Sequence, residues 1–233
     1  MRLRVGIAVW VAMAAMAAMV ASAQRRVTFP LVSGMGVVVG DEYGSGAGSE
    51  RGGLVLVHGG RFDEKSWKPQ AEEFAKAGFL VLAVRFRGDG LNPDGTPSAN
   101  GSYADNAADV LAAAAYLRKA GANTVDAIGA SLGGDAVGDA DAKSPGTFAR
   151  MVFLGSEGGD EPEKLSGRKL FLVADEDRSA DGLRLPGIEA HYKRAPEPKN
   201  LVVVSGTAHA QYLFGTDAGQ KVMRAIMDFL NRK

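Results

Sequence analysis

Apolar runs near residues 53–58, 79–85, 124–129, 150–155, 169–174 and 200–204 alternate along this chain with helical patterns near 66–77, 103–120, 132–142, 186–194 and 217–232. Runs such as Leu54-Val55-Leu56-Val57 and Val81-Leu82-Ala83-Val84 have no polar face, so strands made from them must be covered on both sides. Such an alternation predicts an α/β fold: a mostly parallel sheet with helices on both faces. The stretch from Val27 to Val39 reads as two short leading strands. In an open sheet of this kind, sites form beyond the carboxyl ends of the strands, so the polar residues that follow the apolar runs are the first candidates for chemistry.

One of these is Ser131, in Gly129-Ala130-Ser131-Leu132-Gly133, directly after the run Thr124-Val125-Asp126-Ala127-Ile128 and before a Gly- and Ala-rich helical stretch. A strand, a sharp turn and a helix form the setting of a G-x-S-x-G nucleophile elbow. The flanking glycines have a mechanical purpose, because a Cβ two residues either side of the serine would collide with the neighbouring strand or helix. A serine hydroxyl needs a base to become a nucleophile at neutral pH. Of three histidines, His209 lies in the small-residue loop Ser205-Gly206-Thr207-Ala208-His209-Ala210 after a late strand, where a base can reach the elbow. His58 ends an early strand, opens into Gly59-Gly60 and reads as structural. His191, in Glu189-Ala190-His191-Tyr192-Lys193-Arg194, reads as part of a surface helix. A carboxylate comes from Asp175 or Asp177, which follow the strand Lys169-Leu170-Phe171-Leu172-Val173-Ala174. The chain order serine, acid, histidine differs from the two other familiar triad orders. The backbone N–H of Leu132, the residue after the serine, is the expected first oxyanion donor.

On these residues the chain resembles the α/β-hydrolase superfamily over nearly all of its length after residue 30. Leu54-Val55-Leu56-Val57-His58-Gly59-Gly60 is similar to the family's oxyanion strand, and Val81-Leu82-Ala83-Val84-Arg85-Phe86-Arg87-Gly88 to the strand that follows and its Arg-Gly turn. The resemblance implies a catalytic triad of Ser131, Asp177 and His209, with Asp177 ranked above the alternative acid Asp175. It also maps a second oxyanion donor onto Gly60, with Arg61 as a substitute. Arg85 departs from the pattern, since many members carry an acidic residue there. Many relatives insert a cap before the acid strand, but here only Ser156 to Arg168 is available, which implies a compact, uncapped member of the dienelactone-hydrolase-like or esterase-like kind.

Met1 to Ala23 has Arg2 and Arg4, an apolar run from Val5 to Val20, and Ala21-Ser22-Ala23 before Gln24. This reads as a cleaved signal peptide of a secreted or periplasmic protein; the rival reading is a retained membrane anchor. Residues 24–233 then form one domain with no stable membrane span and two more acids than bases, a balance without basic runs that excludes a nucleic-acid partner. The chain has no cysteine, which removes disulfides, thiolate catalysis and thiolate metal sites. No cofactor is expected.

Further residues have two readings each. Phe62 and Trp67 could line a substrate pocket or anchor a helix to the sheet; Tyr212 and Phe214 could wall a pocket or pack in the core. Glu157, Glu161 and Glu163 form an acidic cluster, read as a solvated loop in preference to a metal site. Gly40 to Gly53 and Gly88 to Ser102, dense in Gly, Pro, Asn, Asp and Ser, read as loops. The expected function is a serine hydrolase acting on a small ester or related acyl substrate through an acyl-enzyme. The alternatives are a thioesterase or peptidase on the same triad, or a non-catalytic binding protein of the same fold.

Overall fold

A computed structural model of the protein describes residues 24–44, 51–87 and 106–232. The expected signal segment 1–23 and the Gly88 to Ser102 loop lie outside these residues. The chain runs through β1 (Arg25–Pro30), β2 (Val37–Tyr43), β3 (Gly53–Val57), a 3₁₀ turn (Glu64–Trp67), α1 (Lys68–Lys76), β4 (Leu80–Arg85), α2 (Asn106–Lys119), β5 (Val125–Ala130) and α3 (Leu132–Lys143). It continues with β6 (Arg150–Leu154), β7 (Arg168–Ala174), the small hairpin β8 (Arg178–Ser179) and β9 (Gly182–Leu183), α4 (Leu185–Arg194), β10 (Lys199–Val204), a second 3₁₀ turn (Ala210–Gly215) and α5 (Gly219–Asn231).

Eight strands make one sheet in the order β1-β2-β4-β3-β5-β6-β7-β10. β1, β2 and β4 pair antiparallel, and every pairing from β4 through β10 is parallel. The strand alternation sorts two cores. Val55 and Val57 face a layer holding Val110, Ala113, Val137 and Ile188 from α2, α3 and α4. Leu54 and Leu56 face Trp67, Phe74, Val222 and Ile226, around α1 and α5. Chain direction through the sheet reverses at β3, which has β4 on one side and β5 on the other, so the crevice beyond these strand ends is where ligands collect in a doubly wound sheet.

One loop reading is corrected. Gly40 to Tyr43, expected as the start of an irregular segment, is the second half of β2, held between β1 and β4. Its acids looked like loop residues, but Asp41 and Glu42 are buried and answered across the hairpin: Arg25 donates to Glu42 at 2.7 Å and Arg26 to Asp41 at 3.3 Å. The strand interiors also hold charge the apolar reading passed over. Asp126 on β5 is 1% exposed and meets Arg150 at 2.8 Å; burial pushes its carboxyl up to about 6 against the pull of that guanidinium.

Candidate active site

The unit β5–Ser131–α3 is a strand, a one-residue corner and a helix. Ser131 has φ 49° and ψ −122°, a left-side conformation that L-residues rarely adopt and that fixes the hydroxyl outside both elements. The neighbouring glycines are steric requirements. A Cβ on Gly129 would lie 2.3 Å from the carbonyl oxygen of Gly133, and one on Gly133 would lie 2.4 Å from that of Val57 at the end of β3. The corner thus packs helix against strand at backbone distance, which no larger residue permits. Among the described residues the other non-glycine with positive φ is Ala210, directly after His209 (φ 50°).

The strand ends bring three sequence-distant side chains together. Ser131 Oγ lies 2.8 Å from His209 Nε2, and His209 Nδ1 lies 2.7 Å from Asp177 Oδ2. In the tautomer that can accept the serine proton, Oγ–H donates to Nε2 and Nδ1–H donates to Asp177. Asp177 is 1% exposed, so its charge acts across a weakly screened gap. Its second oxygen has no hydrogen bond and faces Arg184 Nε at 3.5 Å, while its carbonyl accepts from the Arg184 N–H at 2.9 Å, closing the β8–β9 hairpin behind it.

Asp175, the alternative acid, is elsewhere. Its Oδ1 accepts from Gly206 N–H at 2.9 Å, its own N–H donates to Val204 O, and the Glu176 N–H donates to Gly206 O. The two-residue offset puts Asp175 on the backbone of the histidine loop, stapling it to the end of β7, and turns Asp177 to the ring.

Leu132 is the first residue of α3, so its N–H is one of the donors a helix start leaves unpaired, and a Cβ placed on Gly60 would lie 3.6 Å from the Leu132 side chain, which makes the two residues neighbours. The Gly59-Gly60 loop is fixed by two residues. His58, fully buried, has Nδ1 2.9 Å from Gly59 O and accepts from Phe86 N–H at 3.4 Å, the structural role read for it. Gln211 accepts from Gly59 N–H at 2.9 Å and donates to Ser66 Oγ at 2.8 Å. Nothing in the sequence singled out Gln211 except its place two residues past His209.

The other candidates sort by burial. Trp67 is fully buried in the core, and Phe214, partly buried, packs edge-on against it from the core's margin. Phe62 and Tyr212 meet at 4.9 Å on the rim, with Tyr212 half exposed. His191 is not a free surface residue: it is half buried, and its Nε2 lies 3.2 Å from Glu157. Glu161 and Glu163 pair with Lys164 and Arg194, which disperses the acidic cluster into separate ion pairs. Beside the serine is a cavity of about 300 Å³ walled by Ser131, Asp135, Ser156, Asp160, Arg184 and Ile188. Burial pushes the Asp135 carboxyl up, opposed by hydrogen bonds from Ser156 Oγ–H at 2.7 Å and from the Gly159 N–H. Arg184, like Gln211, was not anticipated, because it enters the site only through the β8–β9 hairpin.

Residues 54–134 match the model of the alpha/beta hydrolase family, a span that holds the Gly59-Gly60 loop and the elbow but stops before Asp177 and His209. No curated protein matches the sequence. Among solved structures, a CIB-like hydrolase from Thermoplasma acidophilum superposes with a TM-score of 0.70 at 18% identity, covering 90% of this chain and 98% of that one. A dienelactone hydrolase from Anabaena variabilis gives 0.68 at 18%, covering 90% and 97%. An esterase from Pyrococcus furiosus gives 0.69 at 12%, covering 90% and 94%. The likeness spans each of these chains almost end to end, which leaves no room for a large cap in the shared fold. The chain thus has the α/β-hydrolase fold in a compact form, and it matches the alpha/beta hydrolase family across the very segment that makes the elbow.

Proposed function

We propose that this protein is a serine hydrolase that cleaves small carboxylic esters through an acyl-enzyme. The observation that carries the proposal is the unbroken hydrogen-bonded line from Ser131 Oγ through His209 to buried Asp177. Ser131 attacks the carbonyl carbon while His209 Nε2 takes its proton, and Asp177 stabilises the imidazolium that forms. The charge that develops on the carbonyl oxygen is met by the N–H groups of Leu132 and Gly60, an arrangement worth several kcal/mol when preorganised. His209 then returns the proton to the leaving alcohol, and water resolves the acyl-enzyme by the same steps in reverse. Ester cleavage is favoured over a purely binding role because a binding cleft has no use for a strained serine aimed at an imidazole. The esterases and the dienelactone hydrolase among the structural neighbours support the same class of substrate. The proposal also places the enzyme outside the cytoplasm, on the strength of Arg2, Arg4, the apolar run and Ala21-Ser22-Ala23.

The test is labelling with a fluorophosphonate probe alongside turnover of p-nitrophenyl acyl esters. Wild type is expected to label at Ser131 and to turn over short acyl esters. An unlabelled, inactive wild-type protein would overturn the catalytic reading in favour of a binding protein. Terminal sequencing of protein from its own host is expected to begin at Gln24, and an intact Met1 in the membrane fraction would sink the secretory reading.

A further inference from the structure

A second cavity, of about 640 Å³, is walled by the segment that follows Gly59 and by the end of β4. Its wall begins at Gly60 and carries three cationic side chains, Arg61, Lys65 and Arg85. The one carboxylate on the wall, Asp63, is engaged as the cap of the 3₁₀ turn, accepting from Lys65 N–H at 3.0 Å.

Arg85 is the informative member. It stands at the last position of β4, where the resemblance leads one to expect an acid, and its side chain is 13% exposed. A guanidinium buried to that degree costs folding free energy unless it is paired and hydrogen-bonded. Its Nε has no hydrogen-bond partner, and its counter-charge, Glu64, stays 3.9 Å away because that same Glu64 oxygen is held by Arg26 at 2.5 Å. The second Glu64 oxygen is unpartnered as well, so the two charges attract without bonding. Arg85 therefore brings a guanidinium with unspent hydrogen-bonding capacity to the wall of a cavity that starts at Gly60, a group whose planar fork suits a planar or tetrahedral anion.

We infer that this cavity is a subsite for an anionic group of the substrate, a carboxylate or phosphate carried on the ester, gripped by Arg85 and flanked by Arg61 and Lys65. The inference rests on the hydrolase reading and deepens it. A substrate whose carbonyl oxygen sits at Gly60 and Leu132 reaches the subsite with its acyl or its alcohol portion. The acid-walled cavity at Ser131 then takes the portion without the negative charge.

Two ester pairs read this out: p-nitrophenyl hydrogen succinate against its methyl ester for the acyl portion, and 3-acetoxybenzoate against methyl 3-acetoxybenzoate for the alcohol portion. Wild type is expected to prefer the charged member of one pair by about tenfold or more in kcat/KM, the scale of one charge-assisted contact. R85Q should bring that ratio close to one, R85K should keep part of it, and K65Q on the exposed rim should lower it less. Equal or inverted preference in both pairs, or a ratio unmoved in a folded R85Q, would overturn the subsite. Should wild type neither label with fluorophosphonate nor turn over any ester, the hydrolase reading fails by itself. Calorimetry then still decides the subsite: succinate or inorganic phosphate binding to wild type and weakened in R85Q supports it and sorts carboxylate from phosphate, and heat from neither overturns it.

Discussion

The two sides of the elbow are built in different materials. On the β7 and β10 side, side chains do the work: Asp177, His209 and Ser131 touch through polar atoms at 2.7 and 2.8 Å, and Asp175 holds the loop that carries the histidine. On the β3 side the working groups of the proposed mechanism are backbone N–H donors, and side chains enter only as props, with His58 under Gly59 and Gln211 against its amide. A proton has to be exchanged with a group of matched basicity, which only a side chain supplies. Charge on an oxygen needs only donors that are already in place. The difference implies that single substitutions should be drastic on the first side and graded on the second.

The largest effect falls on the residue both sides share. Ser131→Ala should lower ester turnover by roughly 10⁵-fold or more with the fold intact by circular dichroism, since only one hydroxyl is lost. Near-normal turnover would remove the premise of the comparison. Next, Asp177→Asn should cost roughly 10⁴-fold in kcat, because the amide favours the wrong imidazole tautomer, while Asp175→Asn should cost less than about tenfold by loosening the Gly206 loop. A larger loss in the Asp175 variant would exchange the two assignments. On the other side, Gln211→Ala should reduce kcat about tenfold, below the 10²–10³ of a deleted oxyanion donor, because it frees the loop without removing a donor. A loss as deep as that of Asp177→Asn would show that the two sides are not built differently at all.

The smallest effect on turnover is expected at Asp126, which serves as a control distant from both sides. Its folded pKa is raised to about 6, so the stability tied to its proton is full below pH 4 and is lost as the pH rises through 6, about 3 kcal/mol at most. Asp126→Asn should flatten the dependence of Tm on pH between 4 and 6 in thermal melts and leave turnover unchanged.

What the sequence made legible was whatever depends on a residue type at a strand end. Ser131, Asp177 and His209 were readable because each follows an apolar run, and the runs themselves were readable because a strand buried on both faces leaves no polar alternation to confuse it with a loop. Legibility failed where a polar residue was satisfied from far away. Asp41 and Glu42 looked like loop because their arginine partners lie fifteen or more residues upstream across a hairpin. Gln211 and Arg184 carry no spacing signal, since each acquires its place from a short irregular turn. The aromatic residues were undecided for a related reason: Trp67 and Phe62 are five positions apart, and only the turn between them sends one into the core and the other to the rim.

From β5 outward, the strands β5, β6, β7 and β10 stand side by side in the order in which the chain encounters them. A chain that folds as it is synthesised therefore adds them to a growing edge one at a time, delivering the elbow serine with β5, the acid after β7 and, 78 residues beyond the serine, the imidazole after β10. Until that last strand docks, the serine has no proton acceptor. On the proposed mechanism the protein would be inert while incomplete and armed only by its own final quarter, so a nascent or clipped chain would hold the nucleophile in its corner without reacting with anything around it.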